Sequence, residues 1–471
     1  MLSVGKTKFK ITLPARASVW YTAIAFFERS AGVIFTPIFT RLLTPSEYGV
    51  YSLYTSWLGV FTVIASLEIT GGVVYRGLLK FKSERESYIS SALGLLILST
   101  LISLTLYLTI GRRLNDLTGL TTGITFLLFF QILLTGIENL YMARLKFHYT
   151  YKSHAAISLT IALLSPLLSI MLIKATRLGG VSRIIAPIIT SVAVAVPIFF
   201  IILKKSKRLF RGEFWRFILK FNLPLLPHFL ALSVIAQAGK IIIGRYLGGA
   251  ELGKYSVAFS AGFIVSLVTY GISSALQPWI NRKLISCEER RINDTAEALF
   301  SLAVISTLSF FCIIPEIFSL FASREYYEAI GAVYPIAISV VISFLTSTVS
   351  TAISYYEKNI FLTISSVSIA ALSVSLNLFA VPRLGYIAAA LIQLFSSFLM
   401  LFLSYFTLRL ILKKELFLPR EYLKYILLIL LFSLLLYLFR GVFLSRALIL
   451  TVLIMIILPL LDRCKSLICE K

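Results

Sequence analysis

In a chain of 471 residues that is 58% hydrophobic and only 14% charged, a cation inside a long apolar run is the first candidate for chemistry. Arg29 lies near the middle of the run 18–40, and Lys240 lies within the run 223–247. Even on the most lenient insertion scale, a charge at the bilayer centre costs about 2.5–3.5 kcal/mol. Arg29 is therefore expected to face a polar cavity. Glu28 precedes it and counts with it among the candidate substrate-binding residues, but helix neighbours at i and i+1 project to different sides and pair poorly. The alternative is a buried structural pair with Glu68 or Glu138, each on another run. Lys240 has no acid within one helical turn; its alternative is to snorkel towards the surface. One cation in each half of the chain would line a groove selective for anions.

His228 opens the same run as Lys240, behind Pro224 and Pro227. It is a candidate binding residue, with a hydrogen-bonded interior imidazole as the alternative, and the two prolines would loosen the helix start and supply a hinge. Three histidines in the whole chain make a metal site unexpected. Gly5, Lys6 and Thr7 imitate the end of a phosphate loop but lack its upstream glycine turn. No nucleophile elbow, zinc-protease motif or paired-carboxylate constellation occurs. The expectation is a protein without catalytic residues, cofactor or metal.

The elements that position these residues are membrane spans. A mean hydropathy of +0.91 is incompatible with a soluble globule of this length. Apolar runs of roughly 20 residues, enough to cross a ~30 Å hydrocarbon core as helix, fall at 18–40, 48–68, 88–110, 119–143, 153–174, 182–203, 223–247, 254–279, 296–321, 328–353, 361–382, 386–412, 422–439 and 443–461. That is about fourteen helices. The runs are continuous rather than alternating, which excludes a spanning β-barrel.

Placing both termini in the cytoplasm puts most of the 45 Lys and Arg on the inner side, as retention of basic loops requires. The same distribution accounts for the net charge of +24 without nucleic acid. The densest basic stretch, from Lys204 to Lys220 with Trp215 and Phe217, reads as an amphipathic connector on the anionic inner leaflet. No connector is long enough to fold a nucleotide-binding domain, and the first run is a full span rather than a cleavable signal. The four cysteines, Cys287, Cys312, Cys464 and Cys469, show neither a disulfide framework nor a zinc spacing.

The chain is also duplicated. Arg41, Leu43, Glu47, Gly49, Tyr51 and Ser52 return 204 residues later as Arg245, Leu247, Glu251, Gly253, Tyr255 and Ser256. An even number of spans separates the copies, so two six-helix halves run parallel, as in repeat-built transporters. Arg29 aligns with Ser233 and Lys240 with Thr36, so the two cations are convergent in charge rather than symmetric. In a structural reading of the repeat, Gly49 and Gly253 allow a tight turn. Arg41 and Arg245 then cap the preceding helix, and Glu47 and Glu251 favour the next helix start. In a functional reading the four charges gate a cleft. The expected fold is an all-α polytopic membrane protein with two parallel lobes around a central cleft. The lobes are 1–217 and 218–417, and two further helices with a cytoplasmic tail fill 418–471.

Several phrases resemble the polysaccharide-export flippases of the multidrug/oligosaccharidyl-lipid/polysaccharide exporter superfamily. They are the segment from Thr40 to Tyr51, Leu223 to Pro227, Ile243 to Gly248 with Glu251 to Tyr255, and Asn377 through Pro382 to Gly385. Many relatives carry Asp-Arg where this chain has Gly239 and Lys240, so the cation is kept and its acid is missing. The resemblance implies movement of a polyprenyl-linked oligosaccharide to the outer leaflet by alternating opening of two lobes. Arg29 and Lys240 would be counterions to the lipid phosphate, and the implied surroundings are the cell membrane and, as possible partners, a polysaccharide polymerase or glycosyltransferases. The alternatives are a cation-coupled multidrug antiporter of the same superfamily, which would place acids in its cavity, and a membrane polysaccharide polymerase, which would need a large outer loop.

Overall fold

A computed structural model describes residues 13–286, 288–417 and 419–442, together with 445, 446, 448, 449, 451, 452 and 455. Apart from turns, short 3₁₀ segments and one π-helical turn, the described chain is α-helix, with no strand among the described residues. In order, the helices are α1 (Leu13–Leu42), α2 (Pro45–Ser66), α3 (Gly72–Lys80), α4 (Arg85–Thr118), α5 (Thr122–Phe147), α6 (Tyr151–Ala175), α7 (Ser182–Lys205) and α8 (Gly212–Asn222). The second half holds α9 (Leu226–Tyr246), α10 (Gly249–Gly262), α11 (Val265–Ile285), α12 (Glu289–Phe321), α13 (Ile330–Tyr355), α14 (Asn359–Leu384), α15 (Tyr386–Phe406) and α16 (Pro419–Leu438).

Among the described residues, ten of these helices are long and apolar enough to cross a bilayer, or eleven when α10 and α11 count as one span. The count of fourteen is therefore approximate. Tyr, Ser and Thr dilute the hydropathy of α2, and the apolar part of α16, Tyr422–Leu438, is shorter than the rest. The expected run 443–461, like Gly5 to Thr7, Cys287, Cys464 and Cys469, lies wholly or largely outside the described residues.

One local correction concerns a break. The run 254–279 is not one straight helix: α10 and α11 meet at 45° around Phe263 and Ile264. Pro224 lies in the turn before α9 and Pro227 occupies its first turn, where a missing N–H costs no hydrogen bond. The basic connector contains a helix, α8, whose Trp215 indole donates to the Ser91 carbonyl at 2.8 Å. Its aromatic face, with Phe214 fully buried, packs into the first half.

Burial divides along the duplication. One apolar core draws on residues from Tyr54 to Ile218, and the other on residues from Ala238 to Leu436. Phe39 and Tyr48 of the first half join the second core, and α16 packs on α12 and α13.

The halves are locked at one end by the repeated element. Arg41 donates to the Pro37 carbonyl of its own helix and, at 2.8 Å, to Leu320 at the end of α12 in the other half. Arg245 reciprocates by donating to the Asp116 carbonyl near the end of α4. Leu320 stands 204 residues after Asp116, the same offset that separates the arginines. A side chain on Gly49 would collide with the backbone of Gly249, and one on Gly253 with the backbone of Pro45. These pairs again differ by one repeat. The contact is thus self-complementary in the manner of a two-fold interface.

The reason for the repeated glycines differs from the expected one. Gly49 and Gly253 lie inside α2 and α10, and they permit close helix approach rather than a turn. The turn before α10 is made by Gly248, at φ +89°. Before α2 the stop comes from Thr44, which accepts from the Glu47 amide while the Glu47 carboxylate accepts from the Thr44 amide, a reciprocal capping box.

Candidate functional site

Two adjoining cavities lie against the inner surface of the second half. The larger, about 640 Å³, is lined by α9, α11, α13, α14 and α15, including His228, Asn281, Tyr355 and Gln393. The smaller, about 240 Å³, is lined by α10, α11, α13, α15 and one residue of the first half, Arg29. Ser343, Ser347 and Gln393 belong to both walls, so the two spaces are neighbours across a shared partition of small and flexible side chains.

Arg29 projects from the middle of α1 across the gap, with its guanidinium carbon 4.0 Å from the centre of the Tyr270 ring. It has no ion pair among the described residues. Neither expected carboxylate partner meets it: Glu138 is buried within the first half, with one carboxylate oxygen lacking a hydrogen bond, and Glu68 sits at the left-handed turn after α2. Glu28 is exposed and lines neither cavity. Lys240 lies with its ammonium 3.8 Å from the centre of the Phe259 ring, and Phe259 is a wall of the smaller cavity. The two cations therefore rest on two rings of the bent pair α10–α11, one on either side of its break. Cation–π contacts satisfy a charge only in part, which leaves the guanidinium of Arg29 able to accept an anionic partner from the cavity.

His228 is held at the mouth of α9 by Ser366, 2.8 Å from its Nδ1, and lines the larger cavity. Of the four repeated charges, Arg41 and Arg245 bridge the halves as described. Glu47 remains in its capping box, and Glu251 pairs with Lys254 at 3.2 Å. The four are not paired with one another. Behind them Arg183, at the start of α7, lies over the rings of Phe39, Tyr48 and Tyr51, and the Tyr326 hydroxyl donates to the Leu43 carbonyl in the other half at 3.0 Å. Tyr326 is fully buried and belongs to the lobe contact.

The hydroxyl face of α13 was not singled out from the sequence. Ser339, Ser343, Ser347, Ser350 and Ser354, with Thr346 and Thr351, recur at intervals of three and four and line the two cavities. That spacing places them on one side of a helix, a signal available from sequence once hydroxyls are counted like apolar residues. Several satisfy themselves locally, as when Ser347 donates to the Phe344 carbonyl at 2.8 Å and Thr351 to Ser347 at 2.9 Å, which lets an apolar-flanked helix carry them. Elsewhere Gln131 joins two helices, accepting from the Tyr54 hydroxyl at 2.6 Å, whereas Gln393 faces both cavities.

Helices grouped in two duplicated halves, closed at one end and lining a polar space with a cation, define a two-lobed transporter-type membrane fold. The chain belongs to the polysaccharide biosynthesis protein family, whose signature matches residues 15–284. A solved structure of lipid II flippase MurJ in an inward closed conformation is 16% identical, with a TM-score of 0.65, covering 95% of this chain and 100% of that one. An inward-facing multidrug resistance MATE family transporter of the MOP superfamily is 13% identical at a TM-score of 0.63, covering 82% of this chain and 94% of that one. A MOP superfamily transporter from Pyrococcus furiosus, with a binding pocket of reversed polarity, is 14% identical at 0.58, covering 87% and 100%. At these identities the likeness establishes the fold. No curated protein matches the chain in sequence. This is a multi-pass membrane protein of a family defined by polysaccharide biosynthesis.

Proposed function

We propose that the protein moves a polyprenyl-(pyro)phosphate-linked oligosaccharide from the cytoplasmic to the outer leaflet of the cell membrane, by alternating opening of its two lobes, without catalysis or cofactor. Both termini are cytoplasmic in this reading, and the end locked by Arg41, Arg245, Gly49 and Gly253 faces outward. The observation that carries it is Arg29, a cation from the first lobe held in a cavity of the second with no carboxylate in its lining. A lipid phosphate supplies the missing anion, while its polyprenyl tail stays in the bilayer. Lys240 adds positive potential from behind Phe259. In this reading the lobes divide near 217, a division supported by the two cores, and α16, which packs with the second core, moves with the second lobe. Polymerases or glycosyltransferases are the partners that would make and consume such a substrate.

A cation-coupled drug antiporter of the same fold is favoured by the likeness to the MATE transporter and by the buried carboxylate of Glu138. Against it stands the cavity itself, which offers drug cations an arginine. Deleting the gene and analysing lipid extracts separates the two. Accumulated polyprenyl-linked oligosaccharide, relieved by wild type and not by an Arg29→Ala variant present in the membrane at the same level, is the expected result. Full relief by Arg29→Ala would overturn the role of the cation. Sensitivity to cationic drugs without glycolipid accumulation would replace the flippase with the antiporter.

A further inference from the structure

From the larger cavity we infer a sugar subsite: a chamber that reads the first, uncharged sugars of the substrate while Arg29 holds the adjoining phosphate. This inference rests on the flippase reading above. The chamber is built for neutral hydrogen bonding. No Asp, Glu, Lys or Arg lines it, whereas hydroxyls, two carboxamides and an imidazole do. Ser396 is the most pointed of them. It is 3% exposed, lines the cavity, and its hydroxyl has no partner among the described residues. A hydroxyl that meets the chamber and no protein group is free to donate to or accept from a ligand or water there. Ser350 and the side-chain amides of Asn281 and Gln393 likewise make no hydrogen bond among the described residues, so donors and acceptors converge from α11, α13 and α15.

Position and size fit the same occupant. The chamber shares Ser343, Ser347 and Gln393 with the cavity of Arg29, and in a glycosyl phosphate the first sugar is bonded directly to the phosphate. A volume of about 640 Å³ lies within the range of small-ligand pockets. It holds the first few sugars, and a longer glycan must extend beyond it. Leu232, Ile235 and Met400 provide an apolar wall for the carbon–hydrogen faces of sugar rings. A uronic acid or free amino sugar in the chamber would bring a charge with no counterion, and burial of such a charge is strongly disfavoured. The selectivity therefore falls on neutral sugars at the reducing end.

The test uses the purified full-length protein and three probes: a polyprenyl pyrophosphate, the same lipid carrying a neutral disaccharide, and the same lipid carrying a uronic-acid disaccharide. The neutral glycolipid should bind about tenfold or more tightly than the bare lipid, as one or two net hydrogen bonds imply, and the uronic-acid form should gain no such advantage. In a Ser350→Ala/Ser396→Ala variant, whose small changes the helix face tolerates, the neutral advantage should shrink to about twofold or less. An undiminished advantage in that variant, an equal advantage for the uronic acid, or no sugar advantage in wild type would overturn the subsite while leaving lipid pyrophosphate binding intact. Failure of all three probes to bind wild type would remove the flippase reading as well.

Discussion

Replacing Gly49 with alanine should open the locked end of the protein. The added Cβ would meet the carbonyl oxygen, carbonyl carbon and Cα of Gly249, all of them backbone atoms. No rotamer change can relieve such a collision. Non-bonded carbon atoms settle near ~3.5–4.0 Å from their neighbours, so α2 and α10 must separate by more than about 1 Å along a contact that joins the two lobes. Overpacking of this kind costs about 1–3 kcal/mol, and it falls only on the state in which the ends touch. A differential of that size shifts a two-state equilibrium by about 5- to 150-fold. The reporter is a Thr40→Cys substitution in both backgrounds, since Thr40 is buried and donates to the Phe321 carbonyl across the lobe contact at 3.1 Å. Labelling by a membrane-impermeant maleimide, applied separately from each side, should accelerate in Gly49→Ala and from the outer side alone. An unchanged labelling rate in a folded Gly49→Ala protein would refute the claim that glycine is needed for lobe closure. Acceleration from the cytoplasmic side would reverse the proposed orientation.

The reciprocal arginines make a related prediction. Arg41→Ala and Arg245→Ala should each weaken closure by about 0.5–1 kcal/mol, because both side chains are exposed and donate to neutral carbonyls; the same labelling assay should show their effects adding in the double variant. Lys240→Glu should impair glycolipid export more than Lys240→Ala, because it replaces a cation on Phe259 with a charge that repels the substrate. Equal export by the two variants would reduce Lys240 to a packing residue.

The sequence by itself determined the membrane environment, the helical class and the duplication. Each follows from local or periodic information: a hydrocarbon core demands long apolar helices with internal hydrogen bonds, and a repeat survives as residues in register. It also marked Arg29, since a charge amid apolar residues stands out without any knowledge of its neighbours. The partner of Arg29 was not legible, because Tyr270 is 241 residues away and nothing local distinguishes its ring from other tyrosines. The purpose of Gly49 and Gly253 was also misread. Turn and close approach both call for a missing Cβ, and only the packing of α2 on α10 separates them. The break between α10 and α11 was hidden in a continuous apolar run with no proline at the bend. Tertiary structure alone decided that the two cations straddle this break, and that a hydroxyl stripe and an unpaired Ser396 share one chamber. A cavity is the space that several helices leave between them, so no single helix encodes it.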